Sequence, residues 1–579
     1  MRNFLLSLGL TCTLGMTAAY AQTPAWQWGA QSVNPTPTNQ TEARAYAIAT
    51  DAAGNSYVGV GMQARNSVTS VRNFGSTTLS TTDIGGVVAK LNAAGQWQWA
   101  TPIESQDASG TTYVFISNVV TTAAGEVFVA GTVDESATSM RVGTVTLNLA
   151  STSLEERMFV ARLNSSGQCT WLIAVNGASA HDMALNPVNG ELLLTGGYYG
   201  GASFGSTALP APLGTGDTGM YVARLSQAGQ WTSALGVRAS AAGAEVSGDD
   251  VSVGAQGQVA VAVYVEDGSV TLGGATINAS SVDKMAVAQL TPAGQWQWVV
   301  QAPGASTLDV NALQYDASGN LWVLNDGNAG GQLGTVTLPA NTVGFVGRLS
   351  SAGAWNLAGS IASQTGRFYS GNKLAVDAQG NAVVAGELDG ATTSPASTYS
   401  FGAQTLSFTT PGLYVARFNA AGQWQYAIKS PTGTANGATP SRYSFNAIAL
   451  DAAGSLLTLG NLFSTNVTFG PNTLVGSTRD IFVAKLTNAG TTLGVRQAAG
   501  AQPLALYPNP VAGGATATLR LAAPAASTQA VTLRNTLGQL VRQTSLAAGR
   551  QEVSLPTAGL TPGVYLLEAG LSRAQIVVQ

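Results

Sequence analysis

The chain has 579 residues, 69 of them glycine, only 9% charged, and a net charge of −4. That length exceeds what one hydrophobic core organises, so several packing units are expected. Residues 22–500 carry a net −8, which excludes a nucleic-acid partner needing a basic face, and beyond the N-terminus no 18-residue apolar run marks a transmembrane span.

The chain begins MRNFLLSLGLTCTLGMTAAYA. Arg2 supplies a charged start, Phe4 to Ala18 an apolar stretch, and Ala19-Tyr20-Ala21 a small-x-small site. Residues 1–21 therefore read as a signal peptide cleaved between Ala21 and Gln22. Thr11 before Cys12 is not the small residue a lipoprotein site needs. Removal of Cys12 leaves Cys169 alone, so no intrachain disulfide is available.

Four landmarks then recur in fixed order seven times. The first is a polar residue followed by alternating apolars, as in YAIATD (46) and NAIALD (446). The second follows a turn of D-x-x-G type, as in NSYVGVG (55) and ELLLTGG (191). The third is short, as in FGSTTL (74) and FGPNTL (469). The fourth is VVAKL (87), FVARL (159) and their kin, followed by a turn ending in Gly and usually a Trp strand such as GQWQW. The turn glycines before the second landmark, Gly54 to Gly454, recur every 61 to 74 residues. Short, β-branched, alternating segments bounded by Gly, Asn, Asp and Ser predict strands and tight turns throughout.

About 67 residues per unit is one small antiparallel sheet, too little for its own core. Radial packing solves this, so the expected architecture for residues 22–500 is a seven-bladed β-propeller. The stretch TPAWQWGAQ from Thr23 is a Trp strand with no unit before it, and the seventh unit lacks one. The expectation is that the N-terminal strand closes blade seven and covers its edge. Trp-Gln-Trp places two indoles on one face, for inter-blade packing or as an aromatic platform for a sugar. The phrases YAIATDAAGNSYVGVG and IFVAKL resemble the bacterial extracellular propeller repeats called SBBP. That resemblance implies a fold over roughly residues 25 to 495 and no particular activity.

Residues 501–579 change character and carry a net +3. LALYPNPVAGG opens alternating segments that predict a small all-β, Ig-like sandwich. Pro508 and Pro510 forbid strand continuation around Asn509, Gly538 suits a hairpin turn, and Pro562-Gly563 precedes the strand VYLLEA. Tyr507-Pro508-Asn509-Pro510, then Asn535 to Gln539 around Gly538, then Gly563-Val564-Tyr565-Leu566 resemble the type A C-terminal sorting domain of the type IX secretion system of Bacteroidota. The resemblance implies a partner in that secretion machinery and a destination outside the cell or on its outer surface, with the tail cleaved or retained.

Candidates for chemistry are few. His181 is the only histidine and opens the first landmark, where the other copies carry Tyr46, Asn118, Asp249, Asn311, Asn372 and Asn446. If that strand lines the axis, these seven form a polar collar, either capping backbone or meeting a polar ligand such as a sugar. His181 would charge the collar below about pH 6.5. Cys169 stands where other copies have Trp and reads as a small filler. Asp51, Asp316, Asp377 and Asp451 precede x-x-G turns, where an Asp holds its own turn's amides or, with further ligands, calcium. Glu155-Glu156 reads as a solvated loop. No catalytic set, cofactor or metal site is singled out. The expected function is a secreted or surface binding module for a glycan or protein. The alternatives are a polysaccharide-active enzyme with acids from neighbouring blades and a passive surface scaffold.

Overall fold

The computed structural model describes residues 24–36, 41–64, 68–82, 84–106, 112–149, 156–279, 282–301, 309–326, 331–368, 372–390, 396–435, 442–463, 465–477, 479–487, 504–535, 540–569 and 572–579. The signal segment with Ala21 and Gln22, and also Cys12, Glu155 and Gly538, lie outside the described residues. Among those described, every regular element is a strand. Two compact units emerge, one over Thr23–Gly490 and one containing Thr491–Gln579.

The larger unit is a β-propeller in which the described residues form seven four-stranded antiparallel meanders. The first runs Thr41–Thr50, Ser56–Ala64, Ile84–Leu91 and Trp97–Gln106, from inner to outer strand. The next five repeat that order, with inner strands at Val114–Thr121, Asp182–Leu185, Glu245–Val253, Asp309–Tyr315 and Lys373–Val376. The seventh takes Arg442–Leu450, Leu456–Phe463 and Asp480–Leu486, and its outer strand is Trp26–Gln31 from the chain's other end. Each inner strand lies against the inner strands of the sheets before and after it, and the seventh returns to the first.

Burial explains the composition of the strands. One hydrophobic core fills each gap between adjacent sheets, so every sheet buries both faces. A strand covered on both sides has no reason to alternate. Leu192–Tyr198 and Asp480–Leu486 are accordingly buried at every position. The turn before the second strand needs its glycine, since Gly54 sits at φ 78° and donates to the Asp51 carbonyl at 3.0 Å.

The third landmark is a hairpin. Ser139–Val142 adds to the outer strand Trp97–Gln106 of the preceding sheet, and Ser397–Phe401 adds likewise to Trp355–Ser363. Such hairpins cover an edge that would otherwise expose unpaired backbone. In other copies the hairpin carries a Phe that packs edge-on against the first Trp of the outer strand, at 5.1 Å for Phe74 and Trp97 and 4.8 Å for Phe204 and Trp231. The glycine after that Phe lets the turn approach the indole, because a Cβ on Gly75 would lie 3.0 Å from Trp97 Cβ.

The C-terminal unit is a small sandwich. Leu504–Tyr507, Thr516–Leu521 and Glu552–Pro556 form one sheet; Gln529–Arg534, Leu540–Leu546, Gly563–Ala569 and Ser572–Val578 form the other. Between them lie Val511, Leu519, Leu533, Leu567 and Ile576. Asn509 ties the entry loop to the last strand, donating to the Gln575 carbonyl at 2.8 Å and accepting from Val577 N–H at 2.9 Å. Tyr507 donates to Glu552 at 2.9 Å, and Tyr565 to the Thr561 carbonyl at 2.7 Å.

Candidate functional site at the axial mouth

The inner strands share a defect in register. Pairing slips between Ala45 and Ala47, Ile116 and Asn118, Gly248 and Asp250, Val310 and Ala312, and Phe445 and Ala447. Each slip is a β-bulge, which bends the strand and re-aims side chains. The extra residues are Tyr46, Ser117, Asp249, Asn311 and Asn446. In the third sheet the slip lies between Ala178, opposite Tyr198, and Asp182, opposite Thr195, and it includes His181. Asn372 directly precedes the sixth inner strand.

One expected collar residue requires correction. In the second sheet the bulged residue is Ser117, whereas Asn118 pairs with Ala130. Aligning that copy on its apolar residues miscounts by one. Its turn starts at Thr122, where Thr122 accepts from Gly125 N–H as Asp51 does from Gly54.

At the bulges, His181 Nδ1 lies 3.4 Å from Asp249 Oδ1 of the next sheet, and its Nε2 lies 3.1 Å from Ser179 Oγ. Asp249 also accepts from Ser247 Oγ at 2.6 Å. Burial would lower the His181 pKa, but hydrogen bonding and charge from Asp249, with Glu156 and Gly248 adding to it, raise it above its ordinary value. Asp249, His181 and Ser179 stand in the order of an acyl-transfer relay. The hydroxyl is otherwise engaged, however. Ser179 is only 6% exposed and bonds Gly197 through both its N–H, at 3.3 Å, and its carbonyl, at 3.4 Å. It acts as a strand tie.

The residues next to the bulges form the second part of the site. In chain order they are Ala47, Asn118, Asp182, Asp250, Ala312, Lys373 and Ala447. Asn118 donates to Asp182 Oδ1, Val251 N–H donates to Asp182 Oδ2 at 2.8 Å, and Leu313 N–H donates to Asp250. The two carboxyls, on neighbouring sheets, lie close enough to act on each other's ionisation. Both are surrounded by protein atoms yet partly open to the axial channel. Burial pushes Asp182 up to about 6, against the backbone bonds that lower it. Burial and then the Asp182 charge push Asp250 well above the carboxylate range. Burial lowers Lys373, and Asp250 and Asp182 oppose that.

Sequence reasoning missed Asp182, Asp250 and Lys373. The available signal was an acid or lysine where other copies carry alanine. Also at this mouth, Phe115 is 37% exposed and touches Tyr113 and Tyr46, with ring centroids at 4.9 and 6.4 Å.

The remaining candidates are structural. Asp51 accepts from Ala53 and Asn55 N–H at 2.9 and 3.0 Å, and Asp316, Asp377 and Asp451 repeat that pattern. Their second oxygens meet side chains, such as Lys485 at 2.8 Å from Asp451. Trp99, Trp171 and Trp298 donate to carbonyls of the next sheet's turn, at Ser165 (3.0 Å), Gln227 (2.9 Å) and Ser351 (3.1 Å). Cys169 is half-buried, donates to the Trp171 carbonyl at 3.3 Å, and has its pKa raised to about 11 by burial.

Residues 505–578 match the family described as "Secretion system C-terminal sorting domain". No curated protein matches the chain. Among solved structures, the chain is similar to a protein of unknown function from Dyadobacter fermentans DSM 18053. Identity is 10% and the TM-score 0.36, over 79% of this chain and 98% of that one. It is similar to YCF48 bound to D1 peptide at 9% identity and TM-score 0.32, over 80% and 95%. It is also similar to puromycin hydrolase at 10% identity and TM-score 0.36, over 86% and 62%.

Proposed function

We propose that this protein is an exported, seven-bladed β-propeller whose axial mouth binds an extracellular glycan or protein. Export itself follows from the tail. The C-terminal unit is a secretion-system sorting domain, which engages the secretion machinery and sends the chain to the cell surface or the medium. In the proposed route, residues 1–21 serve as the signal peptide, residues 22–500 fold as the propeller, and residues 501–579 complete a type IX export of the kind found in Bacteroidota. Removing Leu504 to Gln579 should leave folded propeller in the periplasm, and equal surface signal without the tail would refute that route.

The observation that carries the binding role is the contrast among the copies at one ring position, where Asn118, Asp182, Asp250 and Lys373 replace the alanines at 47, 312 and 447. Cleavage of a polysaccharide fits less well. Paired acids in glycosidases stand about 5 Å or more apart to admit substrate or water, whereas Asp182 and Asp250 act directly on each other's ionisation. The test is a screen of purified extracellular polysaccharides and matrix proteins against the full mature chain. His181→Ala and Asn118→Ala should weaken any ligand found, and His181→Ala should do so with melting nearly unchanged. Binding indifferent to both variants would place the ligand elsewhere, and a screen with no ligand would favour a scaffold.

A further inference from the structure

We infer that the axial mouth takes a neutral saccharide, with a sugar ring against Phe115 and Tyr46 and its hydroxyls toward Asn118, Asp182, Asp250 and Lys373. This rests on the axial-mouth reading above and narrows it to one ligand class.

The aromatic side comes first. Two residues before the bulge position, the described copies carry Arg44, Phe115, Ser179, Ser247, Asp309 and Ser444. Phe115 is the apolar exception, and packing does not require it, since its ring stays 37% exposed. Tyr46 meets it nearly edge-on, at 76°, and Tyr113 lies against it at 33°. A fixed aromatic face left partly open to water suits the apolar C–H face of a pyranose.

The polar side selects charge. Burial raises both carboxyls and the Asp182 charge raises Asp250 further, so the pair disfavours carrying two negative charges at once. Lys373 lies near enough to both for their charge to oppose the lowering of its pKa by burial. The cluster therefore sets an amide, two carboxyls and an amine side by side, offering donors and acceptors together. Hydroxyls, which both donate and accept, match it. An anionic ligand would meet the carboxyl pair and a cationic one would meet Lys373, each without compensation.

Position joins the two sides. Asn118 lies three residues after Phe115 on the same inner strand and bonds Asp182 of the next sheet. The alanines at 47, 312 and 447 leave only methyl groups at the equivalent ring positions, so the remaining sheets do not fill the space.

The experiment presents neutral hexose oligosaccharides and matched hexuronic acid oligosaccharides to the full mature chain at pH 7. The expected result is binding of neutral members, with Phe115→Ala weakening it about tenfold at unchanged melting temperature. Asp182→Asn should weaken it as well, and because that variant perturbs a buried pair, the exposed Phe115 carries the decision. Preference for the hexuronic acids, binding indifferent to Phe115→Ala, or no saccharide bound would each overturn the inference. If a protein ligand is lost with His181→Ala while no saccharide binds, the axial-mouth function survives and this inference does not. If ligand binding ignores His181, Asn118 and Phe115 alike, both fall.

Discussion

The outer and inner strands of this propeller carry the same repeat to opposite ends. On the outer strands, Trp99, Trp171 and Trp298 each reach the next sheet's turn in the same way. A Cβ on Gly167 would stand 2.6 Å from the Trp99 ring and one on Gly353 2.7 Å from Trp298. Glycine at those turns is a packing requirement, as it is at Gly95, where a Cβ would stand 2.6 Å from the Trp28 ring. On the inner strands, the positions beside the bulge hold Ala, Asn, Asp, Asp, Ala, Lys and Ala. The backbone is the same in kind, but the side chains are not interchangeable. Within one repeat protein, then, residues that recur hold the fold together, and residues that break the recurrence at a shared, partly open position mark the site.

The largest expected effect tests how far the outer layer holds the ring. Deleting Thr23 to Gln31 removes the strand paired to Asp480–Leu486 and the Trp26 contact with Phe469 at 4.7 Å. The cost should exceed about 4 kcal/mol, the scale of losing a packed Trp. Calorimetry on the full mature chain checks it, and an unchanged melting temperature would show that the seventh sheet does not need its fourth strand.

Next comes a single outer contact. Trp99→Ala should cost about 3 kcal/mol, since it deletes a half-buried indole and one inter-sheet hydrogen bond. Ligand affinity of the folded protein should stay as it was. Lost affinity without lost stability would reverse the division between the two layers.

The inner layer predicts the opposite behaviour. A carboxyl whose pKa is raised in the folded state stabilises most below its unfolded value, near 3.9, and loses that contribution as pH rises toward its folded value. For Asp182 that window closes at about 6, and for Asp250 it extends further up. Asp250→Asn keeps an acceptor for Leu313 N–H and a donor for Asp182 while removing the like charge. It should therefore be neutral at pH 4 and stabilising by roughly 1 kcal/mol at pH 8. Melting curves at the two pH values decide, and equal destabilisation at both would make the pair a structural tie.

The smallest effect belongs to the mouth itself. His181→Ala should shift stability by no more than about 0.5 kcal/mol. The raised His181 pKa means that its pairing with Asp249 stabilises fully below the unfolded value and fades as pH rises through the folded one. The difference between wild type and variant should therefore shrink toward alkaline pH. A difference that grows would contradict the ion pair.

Much of the fold was readable before any coordinates. Short apolar runs bounded by Gly and Asx turns predict strands, and the all-β class follows from them. The Asp of each D-x-x-G turn read correctly as a backbone cap because that bond is local, spanning two to four residues. The hairpins were harder. FGSTTL shows two short strands at most, while its partner is a surface some 20 residues away in one direction or the previous sheet in the other. The site was half legible. His181 and Asp249 stood out as chemical exceptions, but Asp182 and Asp250 looked like ordinary members of an alternating pattern. Period-two reasoning assigns consecutive residues to opposite faces, and the bulge breaks that rule at the position where it matters.

The sequence by itself determined the repeat, the strand character of each segment, the turn chemistry and the sorting motif, because each depends on residues within one turn or strand of each other. Only the tertiary structure decided which acids meet. Asp182 and Asp250 lie 68 positions apart in the chain, on neighbouring sheets. They come to act on each other because closing the ring brings equivalent residues of successive sheets to one height around one axis. A repeat makes such positions equivalent, but the local sequence carries no measure of how close that closure brings them.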